Sequence, residues 1–408
     1  MAFAEKNLPP LRTMQASLHR ITESLACELA LPGRTPPDWS ELEWRLAPAV
    51  AAMHGVSPLL ASSLQWRGPS AWNDFLAEQR RHTQRRHWRC EELLARIDEQ
   101  ARNAGIAMLT LKGAALHTAG VYGAGERPMA DLDLLVRPTE LELAVAALLS
   151  LSYRSAGSTW KHQTFNPADA PPPAPLGEHV DNPIKIELHS RVAELLPLPA
   201  TDITDLVFPS MAAPGLHTYP SPASAMLHVL AHCAGSMVAR GLRLIQLCDI
   251  ARLARRMTDA DWDAFLLFGM PGHRLWWAYA PLTMTRRYFP DSIPAEIVAP
   301  LKRSAPWLLR RIATHRTLSE FSYSHLFIDP IPGVVWTRSP AQLVRYLAAR
   351  AYPSKEQRAQ FDLLSQTGPW ASAPGWYAQS HPRRILQWLF SRPTRVETMQ
   401  TVRAALDG

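Results

Sequence analysis

The run Asp131-Leu132-Asp133-Leu134-Leu135-Val136 constrains the fold most, because it alternates polar and apolar and then turns wholly apolar. A period of two is a strand period, and this mixed pattern marks a half-buried strand. Two other segments read as strands. Ile106 to Leu111 (IAMLTL) is a short apolar run after Gly105, and Pro183 to His189 (PIKIELH) alternates again. Lys112 to Val121 reads as a helix, and Pro138 with Thr139 opens another, with Thr139 and Glu142 at capping-box spacing. Residues 167–177 (PADAPPPAPLG) form neither a helix nor a central strand and make a stiff exposed loop.

Around this α/β unit the pattern is helical. Helices are expected from Thr13 to Ala30, from near Asp38 until Gly55 and Pro58 end it, and over the long stretch Ser70 to Asn103. Ser221 caps a helix with Pro222 in its first turn, and Thr258 with Asp261 caps another. Later helices are broken at Pro353, Pro369, Pro374 and Pro393. The expected organisation is a helical domain over 1–104, a core over 105–200 and a second helical domain over 201–408. At 47% apolar residues, wholesale disorder is excluded. A net charge of +7, from 43 basic and 36 acidic residues, fits anionic substrates or a weak nucleic-acid contact and demands neither. Cys27, Cys90, Cys233 and Cys248 contain no CxxC, which argues against a disulfide framework and a zinc ribbon. The start MAFAEKNLPPLR lacks the apolar core of a secretion signal, and Ala223 to Ala239 carries His228 and His232 and reads as a buried helix rather than a span. The expectation is a soluble, cytoplasmic protein with reduced thiols and no membrane partner.

Asp131 and Asp133 are the sharp chemical feature. On a strand they face one way, about 6–7 Å apart at Cα, a spacing suited to joint ligation of divalent ions. A DxD alone is more often a solvated edge. Glu187 adds weight: with Lys185 and His189 it occupies one face of its strand, and pairing beside the Asp strand would bring in a third carboxylate. Three clustered carboxylates repel unless cations neutralise them. Hard oxygen ligands select Mg²⁺ or Mn²⁺. Lys112 and Gly113 sit at a strand-to-helix junction, where helix amides, a close backbone approach and an ammonium can hold a phosphate; an ordinary connection reads the same. Arg127 either neutralises a triphosphate or pairs with an Asp. Neither GxxxxGK[ST] nor GxGxxG is present.

LKGAAL, then RPMADLDLLV, a helix to LSY, and IKIELHS together resemble the uncharacterised bacterial nucleotidyltransferases of the DNA polymerase β-like superfamily. The flanking segments DWSELEWRLAPAVAAMHGVSPLL, MLHVLAHCAGSMVARGLRLIQLCDIARLARRMTDADWDAF and YLAARAYPSKEQ extend the resemblance over most of the chain. It implies an α+β fold: a polymerase β-like nucleotidyltransferase core with a mixed sheet, flanked by N-terminal and C-terminal all-helical domains. It also implies metal-dependent transfer of a nucleoside monophosphate from an NTP co-substrate to a hydroxyl acceptor. By match, Asp131, Asp133 and Glu187 are the catalytic and metal-holding residues. Lys112, Gly113, Arg127, Lys185 and His189 are the expected nucleotide contacts; where better-known superfamily members carry Gly-Ser, this chain has Lys112-Gly113. The acceptor is a peptide or protein, an RNA end or a metabolite. The rival readings are a non-catalytic RNA- or protein-binding protein with a degenerate core, and a tRNA-modifying toxin.

Four other features stand out. Arg81, Arg85 and Arg89 stripe a basic helix, either as a steering surface or as a solvated face paired with Glu91 and Glu92. His228 and His232 stand at i, i+4, but Val229 rules out HExxH and leaves buried, metal-free histidines. Asp249 lies among apolar residues and needs a partner. Trp160, Lys161 and His162 are candidate contacts to base or acceptor.

Overall fold

Helix propensity and capping set the first third of the chain. In the computed structural model, which describes residues 8–270, 275–354 and 379–407, α1 spans Leu11–Ala30, α2 Glu41–Met53, α3 Ser57–Ser63 and α4 Ser70–Asn103. The Ser40 side chain accepts from the Glu43 amide while Glu43 reaches back, a closed capping box that starts α2. Gly55 ends α2 at φ +66, and a Cβ there would strike the Arg243 guanidinium. Pro58 does not act as a stop. It sits in the first turn of α3, where a missing N–H costs nothing.

The α/β unit follows. Its elements are β1 (Ala107–Thr110), α5 (Lys112–Thr118), β2 (Asp131–Val136), α6 (Leu141–Ser150), β3 (Tyr153–Ser158), β4 (His162–Pro167) and β5 (Lys185–His189). A small hairpin, β6 (Ala193–Leu195) with β7 (Ala200–Asp202), precedes α7 (Thr204–Val207) and β8 (Gly215–His217). Strands order as β3-β4-β5-β2-β1-β8 in one mixed sheet, so the chain has the α+β architecture expected of it. The β2–β5 and β1–β8 pairs are parallel and the others antiparallel. The capping box anticipated at Thr139 and Glu142 does not form. A 3-10 turn over Pro138–Glu140 intervenes, so Thr139 lies inside that turn rather than at the cap of α6.

Alternation divides the sheet's faces. Leu132, Leu134, Val136, Ile186 and Leu188 bury against α4 and α6 with Cys90, Leu93, Ile97, Ala144 and Leu148. The opposite face carries Asp131, Asp133, Glu187 and His189, while Leu109 and Leu135 on it join the main helical core. Helices α8 (Pro222–Val238), α9 (Leu244–Ala254) and α10 (Asp259–Leu267) form that core with α1 to α3 and with later helices. Ser221 caps α8 and Thr258 with Asp261 caps α10, as their sequences prescribe. The core reaches from Met14 to Val402. Among the described residues, no helix is long and apolar enough to cross a membrane. Met1 to Asn7, Pro369 and Pro374 lie outside the described residues.

The basic stretch of α4 grips the segment after the Pro-rich loop. Arg86 forms a 2.7 Å ion pair with Glu178 and donates to the Met129 carbonyl. Arg89 donates to the Val180 carbonyl, and Gln79 exchanges two hydrogen bonds with the Glu178 backbone. Arg81 and Arg85 remain exposed.

A buried network ties the helical parts together. His54 Nδ1 accepts from the Leu244 amide at 2.9 Å, so Nε2 carries the proton and donates to Ser324 Oγ at 3.0 Å. Ser324 Oγ lies 2.6 Å from Thr22 Oγ1, which donates to the Leu18 carbonyl. A second proton on His54 would face the Leu244 N–H, and burial, with Arg243 nearby, holds its pKa down to about 3 from 6.5. Between those values the unfolded chain takes up a proton that the folded chain refuses, so stability falls as pH drops. We expect this group to contribute a slope approaching about 1.4 kcal/mol per pH unit. Urea unfolding across the acid range should give a His54→Asn variant a dependence shallower by about one proton; an equal slope would contradict the assignment.

Candidate active site

Register builds the site. The parallel β2–β5 pairing sets Asp131 opposite Lys185 and Asp133 opposite Glu187. The antiparallel β4–β5 pairing sets His162 opposite His189 and Thr164 opposite Glu187. Side chains at alternate positions share a face, so Asp131, Asp133, Glu187, His189 and His162 gather on the polar side of the sheet.

Asp133 is the hub. Its Oδ1 accepts from Lys112 Nζ at 2.7 Å and lies 3.0 Å from His189 Nε2. His189 Nε2 is also 3.7 Å from Glu187 Oε2, and His162 Nδ1 is 3.5 Å from that oxygen. Burial would raise the Asp133 carboxyl, but Lys112 and His189 hold it well below the usual carboxylate range. Burial also disfavours a charged Lys112, yet Asp133, Glu187 and Asp131 outweigh that and raise its pKa. For His189 the bonds to the two carboxylates likewise overcome burial and raise it. Burial opposes ionisation of Glu187, but the His189 contact and Lys112 lower its pKa.

Asp131 is left over. Among the described residues no side-chain hydrogen bond or ion pair reaches it. Burial, then the charges of Asp133 and Glu187, push its pKa up to about 7. The cluster therefore carries more negative charge than its lysine and histidine neutralise. The carboxylate of Asp131, Oδ2 of Asp133 and Oε1 of Glu187 are all outside the contacts just described. That donor set of hard oxygens fits a divalent cation.

Lys112 adopts φ +47, a left-handed conformation that costs a side-chain-bearing residue about 1–2 kcal/mol. Its amide donates to the Tyr219 hydroxyl at 2.9 Å, and that hydroxyl lies 2.7 Å from His228 Nδ1. The two ends of Lys112 are thus fixed, one by Tyr219 and one by Asp133. The first amide of α5, a candidate phosphate donor on sequence grounds, is the one engaged by Tyr219. Gly113 packs under Arg127, and a Cβ there would collide with the guanidinium.

Arg127 takes the second of its two anticipated courses. Its Nε and Nη2 grip both carboxylate oxygens of Asp249, each at 2.8 Å, and the Tyr122 hydroxyl donates to the same group at 2.8 Å. This answers the need of Asp249 for a partner and locks the loop before β2 to α9. Lys185 is exposed beside Asp131. Lys161 binds Glu194 at 2.5 Å, beneath the Trp160 ring, and His232 Nδ1 is 3.7 Å from Glu194. Sequence reasoning missed the strand carrying His162 and the role of Tyr219. Residues 162–166 (HQTFN) carry one apolar side chain, Phe165, too little alternation to signal a strand.

A parallel strand pair that projects acidic residues from one face of a mixed sheet, beside a short helix with a strained lysine, suits the handling of phosphorylated ligands. The profile of a family described as uncharacterised nucleotidyltransferases matches residues 40–270, more than half of the chain. The chain belongs to that family, and its general class is that of a nucleotidyltransferase. No curated protein and no solved structure matches it.

Removing one partner of the buried Arg127–Asp249 pair leaves a charge without water or counter-ion. We expect Asp249→Ala to lower unfolding free energy by about 3–5 kcal/mol, read by urea denaturation. The paired change of Arg127→Met with Asp249→Leu should recover most of that loss; a cost below about 1 kcal/mol for the single variant would show the pair to be solvated.

Proposed function

We propose that the chain transfers a nucleoside monophosphate from an NTP to a hydroxyl acceptor, with Asp131, Asp133 and Glu187 as the catalytic carboxylates and as the holders of Mg²⁺ or Mn²⁺. The observation that carries this reading is the in-register placement of Asp133 against Glu187, with Asp131 on the same face and, among the described residues, without a hydrogen-bonded or ion-paired cation of its own. The divalent ion, when bound, supplies charge neutralisation for the phosphates and acidifies the attacking hydroxyl.

The chain's own groups have separate tasks. Lys112, held at both ends, keeps an ammonium beside the carboxylates, where it orients Asp133 and offsets phosphate charge. His189 fixes the other side of Asp133. Glu187 stands nearest the attacking hydroxyl and takes up its proton. The acceptor oxygen bonds to the α-phosphorus, the bond from that phosphorus to the bridging oxygen breaks, and pyrophosphate leaves. Arg127 and Lys185 stand further out: Arg127 holds Asp249, while Lys185 is free to meet the nucleotide at the rim. Catalysis in this scheme is positioning and electrostatics.

One feature favours the rival, a non-catalytic binding protein: Lys112 already satisfies Asp133. Transfer assays decide between the two. Incubation with each labelled NTP, Mg²⁺ or Mn²⁺ and a cell lysate should label one class of acceptor. Asp131→Asn, Asp133→Asn and Glu187→Gln should each lower the rate on the order of 10²–10⁴-fold. Labelling that survives these substitutions, or none with any NTP, would refute the proposal.

A further inference from the structure

The geometry points to a second, nitrogen-rich metal set on the same sheet face: His162, Glu187 and His189 take a single zinc-like divalent ion. The three candidate ligand atoms lie within 4.8 Å of one another. Strand pairing alone places them, since His162 faces His189 across β4 and β5 while Glu187 stands two residues from His189. In a tetrahedral site with bonds of about 2.0–2.1 Å, neighbouring ligand atoms are about 3.3–3.4 Å apart. The separations here, 3.5 Å from His162 Nδ1 to Glu187 Oε2 and 3.7 Å from His189 Nε2 to the same oxygen, are a few tenths longer. The two histidine nitrogens stand within 4.8 Å of each other, so the imidazole rings must also turn toward one another to close the set.

A second observation is independent of the cluster's composition. His162 Nδ1 is buried and has no hydrogen-bond partner. A buried imidazole nitrogen is ordinarily satisfied, and this one points toward a carboxylate without a bond to it. The two rings are 4.9 Å apart and inclined at 59°, so they are not stacked face to face. Imidazole nitrogen favours Zn²⁺ and Co²⁺ over Mg²⁺, whereas the oxygen set at Asp131 has the opposite preference. His189 would release its Nε2 proton, now shared with Asp133, as the ion binds. Three protein ligands leave one position open.

The ion's consequence rests on the proposed function: the site borrows Glu187, so zinc there withdraws a carboxylate from nucleotide transfer. Binding itself does not rest on that reading. The full-length chain, stripped of metal, is titrated with Zn²⁺ by calorimetry and with Co²⁺ by visible absorption. One equivalent of Co²⁺ should bind with the intense d–d bands of a low-coordinate site, and the zinc X-ray absorption edge should report imidazole ligands. His162→Gln should weaken Zn²⁺ at least about 100-fold, while Asp131→Asn, which removes a neighbouring charge but no ligand, should weaken it less than about tenfold. Absence of binding, unchanged affinity in His162→Gln, sulfur ligands in the spectrum, or equal loss in Asp131→Asn would each overturn the site. The spectrum on the unsubstituted chain stands even if His162→Gln folds poorly. Zinc binding without any nucleotide transfer would sink the proposed function and leave this site intact.

Discussion

Mutual repulsion among Asp131, Asp133 and Glu187 is the constraint around which the rest of the core is arranged. Two parallel strands hold these carboxylates on one buried face, and neither strand can turn them outward without exposing Leu132, Leu134, Ile186 and Leu188. Lys112 and His189 answer part of the charge by converging on a single oxygen of Asp133. Asp131 absorbs the remainder by holding its proton up to neutrality. An arrangement that costs stability and persists by burial is what a cation- or phosphate-handling site requires.

The surrounding helices keep that arrangement from relaxing. Tyr219 and His228 brace Lys112 in its left-handed turn, and Asp249 on α9 holds Arg127 over Gly113. On the other face, α4 supplies an apolar stripe to the sheet and a row of donors to the segments that lead into β2 and β5. The helices before and after the sheet share one core and one buried hydrogen-bond chain through His54, Ser324 and Thr22. Movement of the helical wall would therefore be felt at Lys112.

Much of this was legible in the sequence, for identifiable reasons. Ser70–Asn103 matched its expected bounds because it is dense in strong helix formers, and Asp131–Val136 because its alternation leaves no other period. The caps at Ser221 and Thr258 were local and hence readable. Strands β3 and β4 were not, since they are short, half-exposed and held by pairing rather than by pattern. Partner choice was the other hidden layer. Asp249 announced that it needed a partner, but only the fold brings Arg127, 122 positions away, to meet it. Similarly, the basic row on α4 reads as a steering surface or a solvated face until the loop it grips is in place.

The most direct test is anomalous scattering at the manganese edge from crystals grown with Mn²⁺ and a non-hydrolysable NTP. The account predicts density for the ion bonded to the carboxylates of Asp131 and Asp133, with the triphosphate alongside. Nucleotide bound elsewhere, or a manganese-free pocket in which Lys112 still holds Asp133, would contradict it.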